Sequence, residues 1–297
     1  MTISIQKNFP SSSLSCFGTG GPIFEFITTD KFEEFVSLWI EGQAEKIPQR
    51  IIGSGSNILF PDKGFSGRIY KFLARKIKIK KQTARNLVLE CDAGVQLRDL
   101  VLLSSEKGFA NILDLFGIPG TVGGAVFGNA GAWNAQISDN LLSLTLCDSN
   151  GNQKILAKKN ITFAYRHSSI KNDKVILSAV FNFHKTQSVE KNRQILSKKS
   201  RLRLKKTPLG KHCGSFFKNI YNKNGKIKFF AGKILEDLGA KGDRVGGAEI
   251  SSVHANCIIN TGSATSKDIL DLAQKWQNIA KKKNSQFALE PEVQIIE

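Results

Sequence analysis

Paired cysteines, long apolar runs and acidic charge are what this chain is short of. Its five cysteines, Cys16, Cys91, Cys147, Cys213 and Cys257, are odd in number and widely spaced, with no C-x-x-C pair. That pattern excludes a disulfide framework and a zinc or iron–sulfur site, so no metal is expected and a reducing compartment fits. No apolar stretch approaches the ~20 residues needed to cross a bilayer. The opening MTISIQKNFPSSSL has no apolar signal core, since Lys7 interrupts it. A cytoplasmic protein without membrane insertion is expected. Acidic residues number 25 against 43 lysines and arginines, a formal net charge of +18. Nucleic acid, an anionic membrane or phosphorylated small molecules would each match such an excess. The basic runs, Arg75 to Lys81, Lys198 to Lys206 and Lys281 to Lys283, are poor in aromatics. A nucleic-acid partner is therefore not expected.

With 297 residues, the chain exceeds the usual compact domain and should form two or more lobes. It has no internal repeat. Strands are expected at Ile23 to Ile27, Arg50 to Ile52, Ile58 to Phe60, Leu87 to Cys91 and Val175 to Phe183, with Ala248 to Asn260 strand-like. Leu142 to Cys147 and Lys154 to Leu156 flank Asp148-Ser149-Asn150-Gly151-Asn152 and predict a hairpin. Helices are expected at Thr29 to Leu38, Leu97 to Lys107, Val189 to Lys205, Ala231 to Leu238 and Thr265 to Lys282. The last opens with a Thr265-x-x-Asp268 capping box and places Ile269, Leu272, Trp276 and Ile279 on one buried face. Without a regular βαβ alternation, the fold class is α+β.

Two glycine loops carry the chemistry. Gly53-Ser54-Gly55-Ser56-Asn57 fails as a dinucleotide fingerprint, because Ile58 holds the third glycine position and a strand follows. Its amides and short polar side chains still suit a phosphate. The second loop, Gly117-Ile118-Pro119-Gly120-Thr121-Val122-Gly123-Gly124-Ala125, leads through Gly128 to Asn129-Ala130-Gly131. A core strand would not tolerate so many residues without side chains. Extended backbone lying against a large, flat, phosphate-bearing ligand is expected there.

Together, GSGSN and GIPGTVGGAVFGNAGAW resemble the FAD-binding module of vanillyl-alcohol oxidase / p-cresol methylhydroxylase-type flavoproteins. FAYRHSS at 163–169, GSFFKN at 214–219, AGKILEDLGAKG at 231–242, SSVHANCIIN at 251–260 and LEPEV at 289–293 resemble, in order, the UDP-N-acetylenolpyruvoylglucosamine reductase family. The resemblance runs from about Phe17 to the C-terminus. It implies a relay in which NADPH reduces FAD, and flavin N5 then delivers a hydride to the enolpyruvyl methylene of a UDP-sugar, a step in peptidoglycan precursor synthesis. Hydride addition leaves an enolate, which needs a cation and a proton donor.

By this resemblance, Arg166 and Glu292 are the catalytic groups that stabilise the enolate, and Ser215 is the proton donor. Glu290 stands beside Glu292 as a rival that only the motif sets aside. Gly53, Ser54, Gly55, Ser56, Asn57, Pro119, Gly120, Thr121, Gly123, Gly124, Asn129, Ala130 and Gly131 match the FAD-binding positions. Tyr165, Lys206, Lys218, Asn219, His254 and Asn256 match positions that hold the UDP-sugar. The chain departs from the family where Lys211-His212-Cys213 replaces a Pro-Ser-Ala before Gly-Ser, so that His212 or Cys213 could tune Ser215. Gly128 and His167 also depart from it. The short spacing from Arg166 to Ser215 resembles the class lacking a long substrate-clamping insertion. Residues 1–200 are expected to bind FAD in two small lobes with a boundary near 65–85, residues 201–297 to bind substrate, and the chain to act as a monomer. A different oxidation on the same flavin module, or a flavin protein that has lost catalysis, remains an open alternative.

Overall fold

Alternation of small or apolar residues with polar ones makes Val175–His184 the middle strand of a five-stranded sheet. The computed structural model describes residues 3–297 except 134, 186 and 223–225. In that sheet Val175–His184 pairs antiparallel with Leu141–Cys147 on one side and Asn86–Asp92 on the other. Gln153–Ala157 and Ile77–Gln82 form the edges. The expected hairpin is present, with Ser143 opposite Ala157 and Cys147 opposite Gln153. At its turn the Asp148 carboxylate accepts the amides of Asn150 and Asn152 at 2.9 and 3.0 Å. The strand Ile77–Gln82 overlaps the basic run that composition alone reads as charge; its lysines suit an exposed edge.

The helices, labelled in chain order, are α1 Phe32–Ala44, α2 Leu97–Glu106, α3 Val122–Phe127, α4 Val189–Lys206, α5 Ala231–Asp237 and α6 Ser266–Lys283. Two of the expected elements need correction. Thr29 ends the strand Pro22–Thr29 and does not begin α1, and Trp39, 1% exposed, carries the buried face of α1 beyond Leu38. The segment 248–260 is two short strands, Ala248–Ile250 and Ile258–Asn260, with a loop between them. In α6 the capping box forms, and Ile269, Leu272 and Trp276 are buried while Ile279 is only half-buried.

The chain divides into two compact units that are discontinuous in sequence. The first comprises residues 1–8, 24–54 and 66–202; the second comprises 9–23, 55–65 and 203–297. The second unit thus joins residues 203–297 with two N-terminal segments. Their attachments within the second unit are specific. Ile58 and Leu59 pair in parallel with Gln294 and Ile295, and Asp62 accepts the Ser266 and Lys267 amides at the start of α6 at 2.8 and 2.9 Å. Phe17 joins the core formed by Phe216, Leu235, Ile258 and Leu272.

In the first unit, α1 docks through rings and charge. Phe35, Trp39 and Tyr70 pack with centroids 5.3 to 6.4 Å apart. Arg68 donates to Glu25 at 2.7 Å and to Glu41 of α1 at 2.9 Å, with the Arg68 and Glu25 side chains only 9% and 10% exposed. Removing one partner strands the other in a poorly solvated place. Arg68→Met should lower unfolding free energy by roughly 3 kcal/mol, and adding Glu25→Gln should recover part of that loss in denaturant titrations.

Candidate active site

The glycine loops meet in the first unit. A Cβ at Gly53 would collide with the Thr121 hydroxyl, so this glycine admits the second loop beside the first. Ser54 donates to Gln96 Oε1 at 3.3 Å. After Gly120 the chain is not extended, as the glycine density suggests, but turns into α3. Thr121 caps that helix by accepting the Gly124 amide at 3.3 Å. Gly123 lies against Ala93, which a Cβ would approach to 2.9 Å, while Gly124 faces open space apart from the Thr121 hydroxyl at 3.5 Å. A flat ligand could use that space. Pro119 is exposed and Ala130 half-buried.

Asn129 is fully buried in the left-handed region, at φ +45. Its Nδ2 donates to Gln136 Oε1 at 2.7 Å and to the Ala164 carbonyl at 2.8 Å. Its Oδ1 is buried without a partner among the described residues. Such an orphaned acceptor is costly unless a donor arrives, and the N–H of a flavin ring is a fitting one. The glycine space and this acceptor together fit FAD.

The Ala164 contact also ties the loop to the arginine hairpin. Phe163 pairs with Ser168 and Ala164 with His167, which leaves Tyr165 and Arg166 at the turn. Ser168 Oγ donates to the Phe127 carbonyl at 2.6 Å. Arg166 takes φ +54, a conformation that costs a non-glycine residue on the order of 1–3 kcal/mol. Its guanidinium lies 5.0 Å from the Tyr165 ring centroid, and a Cβ at Gly131 would come within 3.2 Å of Nη1.

In the second unit, Gly55 has φ +67 and abuts the Leu14 carbonyl, where any Cβ would collide. Asn57 Nδ2 donates to the Glu292 carbonyl at 2.9 Å. Ser56 is half-buried between them in sequence. The Glu292 amide donates to the Phe216 carbonyl at 2.7 Å and the Lys218 amide to that of Glu290 at 2.8 Å, so the Ser215 and Glu292 segments run side by side. Glu292 is half-buried, whereas Glu290 is exposed and lies 3.9 Å from Lys218 Nζ. Ser215 itself is exposed.

Two residues expected to hold substrate have their carboxamides engaged by the protein. Asn256, 4% exposed, accepts the Phe217 amide at 2.9 Å through Oδ1 and donates to its carbonyl at 2.8 Å through Nδ2. Asn219 Oδ1 accepts the Ala231 amide at the start of α5 at 3.1 Å. Lys206 is exposed at the end of α4, near enough to His254 to act on its charge. Burial, with Lys206 and Lys241 adding repulsion, holds His254 below the usual imidazole range. Cys213 places its thiol 3.8 Å from the Ile58 carbonyl, and burial pushes it up to about 12, so it stays protonated and unreactive. Gln96 and Gln136 went unnoticed in the sequence, where an isolated glutamine carries no local signal.

Residues 26–157 match the FAD binding domain model, and residues 205–296 match that of the UDP-N-acetylenolpyruvoylglucosamine reductase C-terminal domain. The protein is thus an FAD-dependent oxidoreductase of α+β fold. The UDP-N-acetylenolpyruvoylglucosamine reductase of Parasynechococcus marenigrum is 34% identical over 294 residues, covering 98% of this chain and 95% of that protein. That of Lactobacillus delbrueckii subsp. bulgaricus is 32% identical over 296 residues, covering 99% and 96%. The crystal structure of the Thermus caldophilus enzyme superimposes with a TM-score of 0.81 at 27% identity over 100% of both chains. The chain belongs to the UDP-N-acetylenolpyruvoylglucosamine reductase family.

The depressed His254 has a stability consequence. Below the ordinary histidine range, about pH 6.5, the unfolded chain binds a proton that folded His254 refuses. Stability therefore falls as pH drops from 7 toward 5, until the folded residue also titrates. His254→Gln should flatten that part of the melting-temperature profile relative to the parent.

Proposed function

We propose that this protein reduces UDP-N-acetylglucosamine enolpyruvate to UDP-N-acetylmuramate with NADPH, in the cytoplasm, as a step of peptidoglycan precursor synthesis. Family membership over nearly the whole chain supports the substrate class. The observation that carries the chemistry is the pairing of the Ser215 and Glu292 segments through the Glu292 amide and the Phe216 carbonyl at 2.7 Å. FAD held at the glycine loops would supply the hydride chemistry that links NADPH to the enolpyruvyl methylene carbon.

The chain's own groups bind and manage charge. Thr121, Gly123, Gly124, Asn129 and Gly131 of the second loop would hold the flavin, together with Gly53 and Ser54 of the first. Arg166, a permanent planar cation, stabilises the charge that develops on the substrate carboxylate. Ser215 gives its proton to the carbon next to that carboxylate, and Glu292 supports the same charge in its protonated form. Lys206 and Lys218 attract the diphosphate, and Tyr165 packs on the nucleotide portion. Asn219 and Asn256 act indirectly, by fixing the segments that carry these groups.

The purified full chain should be yellow, bleach on anaerobic NADPH addition, and regain its colour when UDP-N-acetylglucosamine enolpyruvate is added. Ser215→Ala should bleach normally and recover colour roughly 100-fold or more slowly. A colourless protein that takes up no FAD, or a reduced one that the UDP-sugar leaves bleached, would overturn the proposal.

A further inference from the structure

Two histidines of the second unit make the same unusual bond. His212 Nδ1 accepts the amide of Gly214 at 2.9 Å, and His254 Nδ1 accepts the amide of Asn256 at 3.1 Å. In each case the acceptor belongs to residue i and the donor to residue i+2. A backbone N–H can only donate, so both Nδ1 atoms must be unprotonated, and the neutral rings carry hydrogen on Nε2. At His212 the assignment is checked from the other side: Nε2 lies 3.1 Å from the Pro208 carbonyl, which can only accept.

The two bonds bracket Ser215. Upstream, His212 joins Pro208 to Gly214, whose φ of +78 makes the turn immediately before Ser215. Downstream, the residue held by His254 is Asn256, whose carbonyl accepts the Phe216 amide at 2.7 Å and whose side chain takes both main-chain groups of Phe217. Around His212, the Lys211 carbonyl accepts the Asn260 amide at 2.9 Å and the half-buried Cys213 thiol reaches the Ile58 carbonyl. Nothing lies within 4 Å of where a Gly214 Cβ would stand. No side chain packs on the Gly214 Cα, and the His212 ring closes the turn there.

We propose that His212 and His254 are a pair of positioning residues, each fixed as the neutral Nε2–H tautomer, that together set the direction of the Ser215 hydroxyl. The inference rests on the reading of Ser215 as the proton donor. It gives the Lys211-His212-Cys213 departure a purpose, since the His212 ring spans from the Gly214 amide to the Pro208 carbonyl.

The chain has four histidines, so a long-range ¹H–¹⁵N spectrum of the labelled full-length protein can resolve each ring. The signals of His212 and His254, assigned by loss in His212→Asn and His254→Gln, should show the Nε2–H tautomer. In the half-reactions, His212→Leu should slow recovery of flavin colour by the UDP-sugar roughly tenfold while bleaching by NADPH stays within about twofold. His212→Asn, whose Oδ1 can accept the Gly214 amide in the same place, should restore most of the rate. A merely structural loss would slow both half-reactions and would not be rescued. An Nδ1–H tautomer at either ring, or a His212→Leu protein as fast as the parent while Ser215→Ala is slow, would overturn the proposal. A Ser215→Ala protein that recovers colour at the parent rate would instead overturn the donor reading, and with it the purpose assigned to these rings.

Discussion

Asn256 holds the second unit to a single register. Its main-chain carbonyl and both atoms of its carboxamide are bonded to Phe216 and Phe217, at 2.7 to 2.9 Å, in a place only 4% exposed. Those bonds fix a segment that has on its other side the amide of Glu292. Shifting this segment by one residue would leave buried amides without partners and pull Phe216 and Phe217, each 1% exposed, from their places in the core. One carboxamide thereby fixes the positions of a hydroxyl, Ser215, and a carboxyl, Glu292, that lie 77 positions apart (292 − 215) in the chain.

The first unit solves a different problem, which is to leave room. Its second loop is neither a strand nor an extended ribbon. Gly120 turns it, Thr121 caps a short helix, Gly123 packs on Ala93, and Gly124 is left open. Asn129 then joins this loop to the hairpin that ends in Arg166, and keeps one buried oxygen for a ligand. Arg166 stands at φ +54, where glycine would be easier. Backbone strain at such a position is common where a side chain has work to do at a turn.

What the sequence showed and what it hid follow from range. The hairpin around Asp148, the capped helix α6 and the alternating strand Val175–His184 depend on residues close together, and each was legible. The parallel pairing of Ile58 and Leu59 with Gln294 and Ile295 depends on segments more than 230 residues apart, so nothing local announces it. That pairing, with Asp62 at the head of α6, is why two N-terminal segments belong to the C-terminal unit. The motifs pointed to Asn219 and Asn256 as ligand contacts, because a motif identifies a residue without showing where its side chain goes. Both carboxamides turned out to hold main chain. The histidine bonds were hidden for the same reason: an imidazole that accepts an amide two residues on looks, in sequence, like any other histidine.

The bonds at Asn256 fix the Ser215 to Phe217 segment through the protein's own groups alone. Amide hydrogen exchange of the ligand-free protein, read at Phe216, Phe217 and Glu292, tests it most directly. These three amides should exchange only by large-scale opening, as slowly as those of Leu272 and Ala273 in the core of α6. Exchange of Phe216 and Phe217 at the rate of an exposed loop, with Glu292 following, would contradict a preformed register and leave the site to be assembled by its ligands.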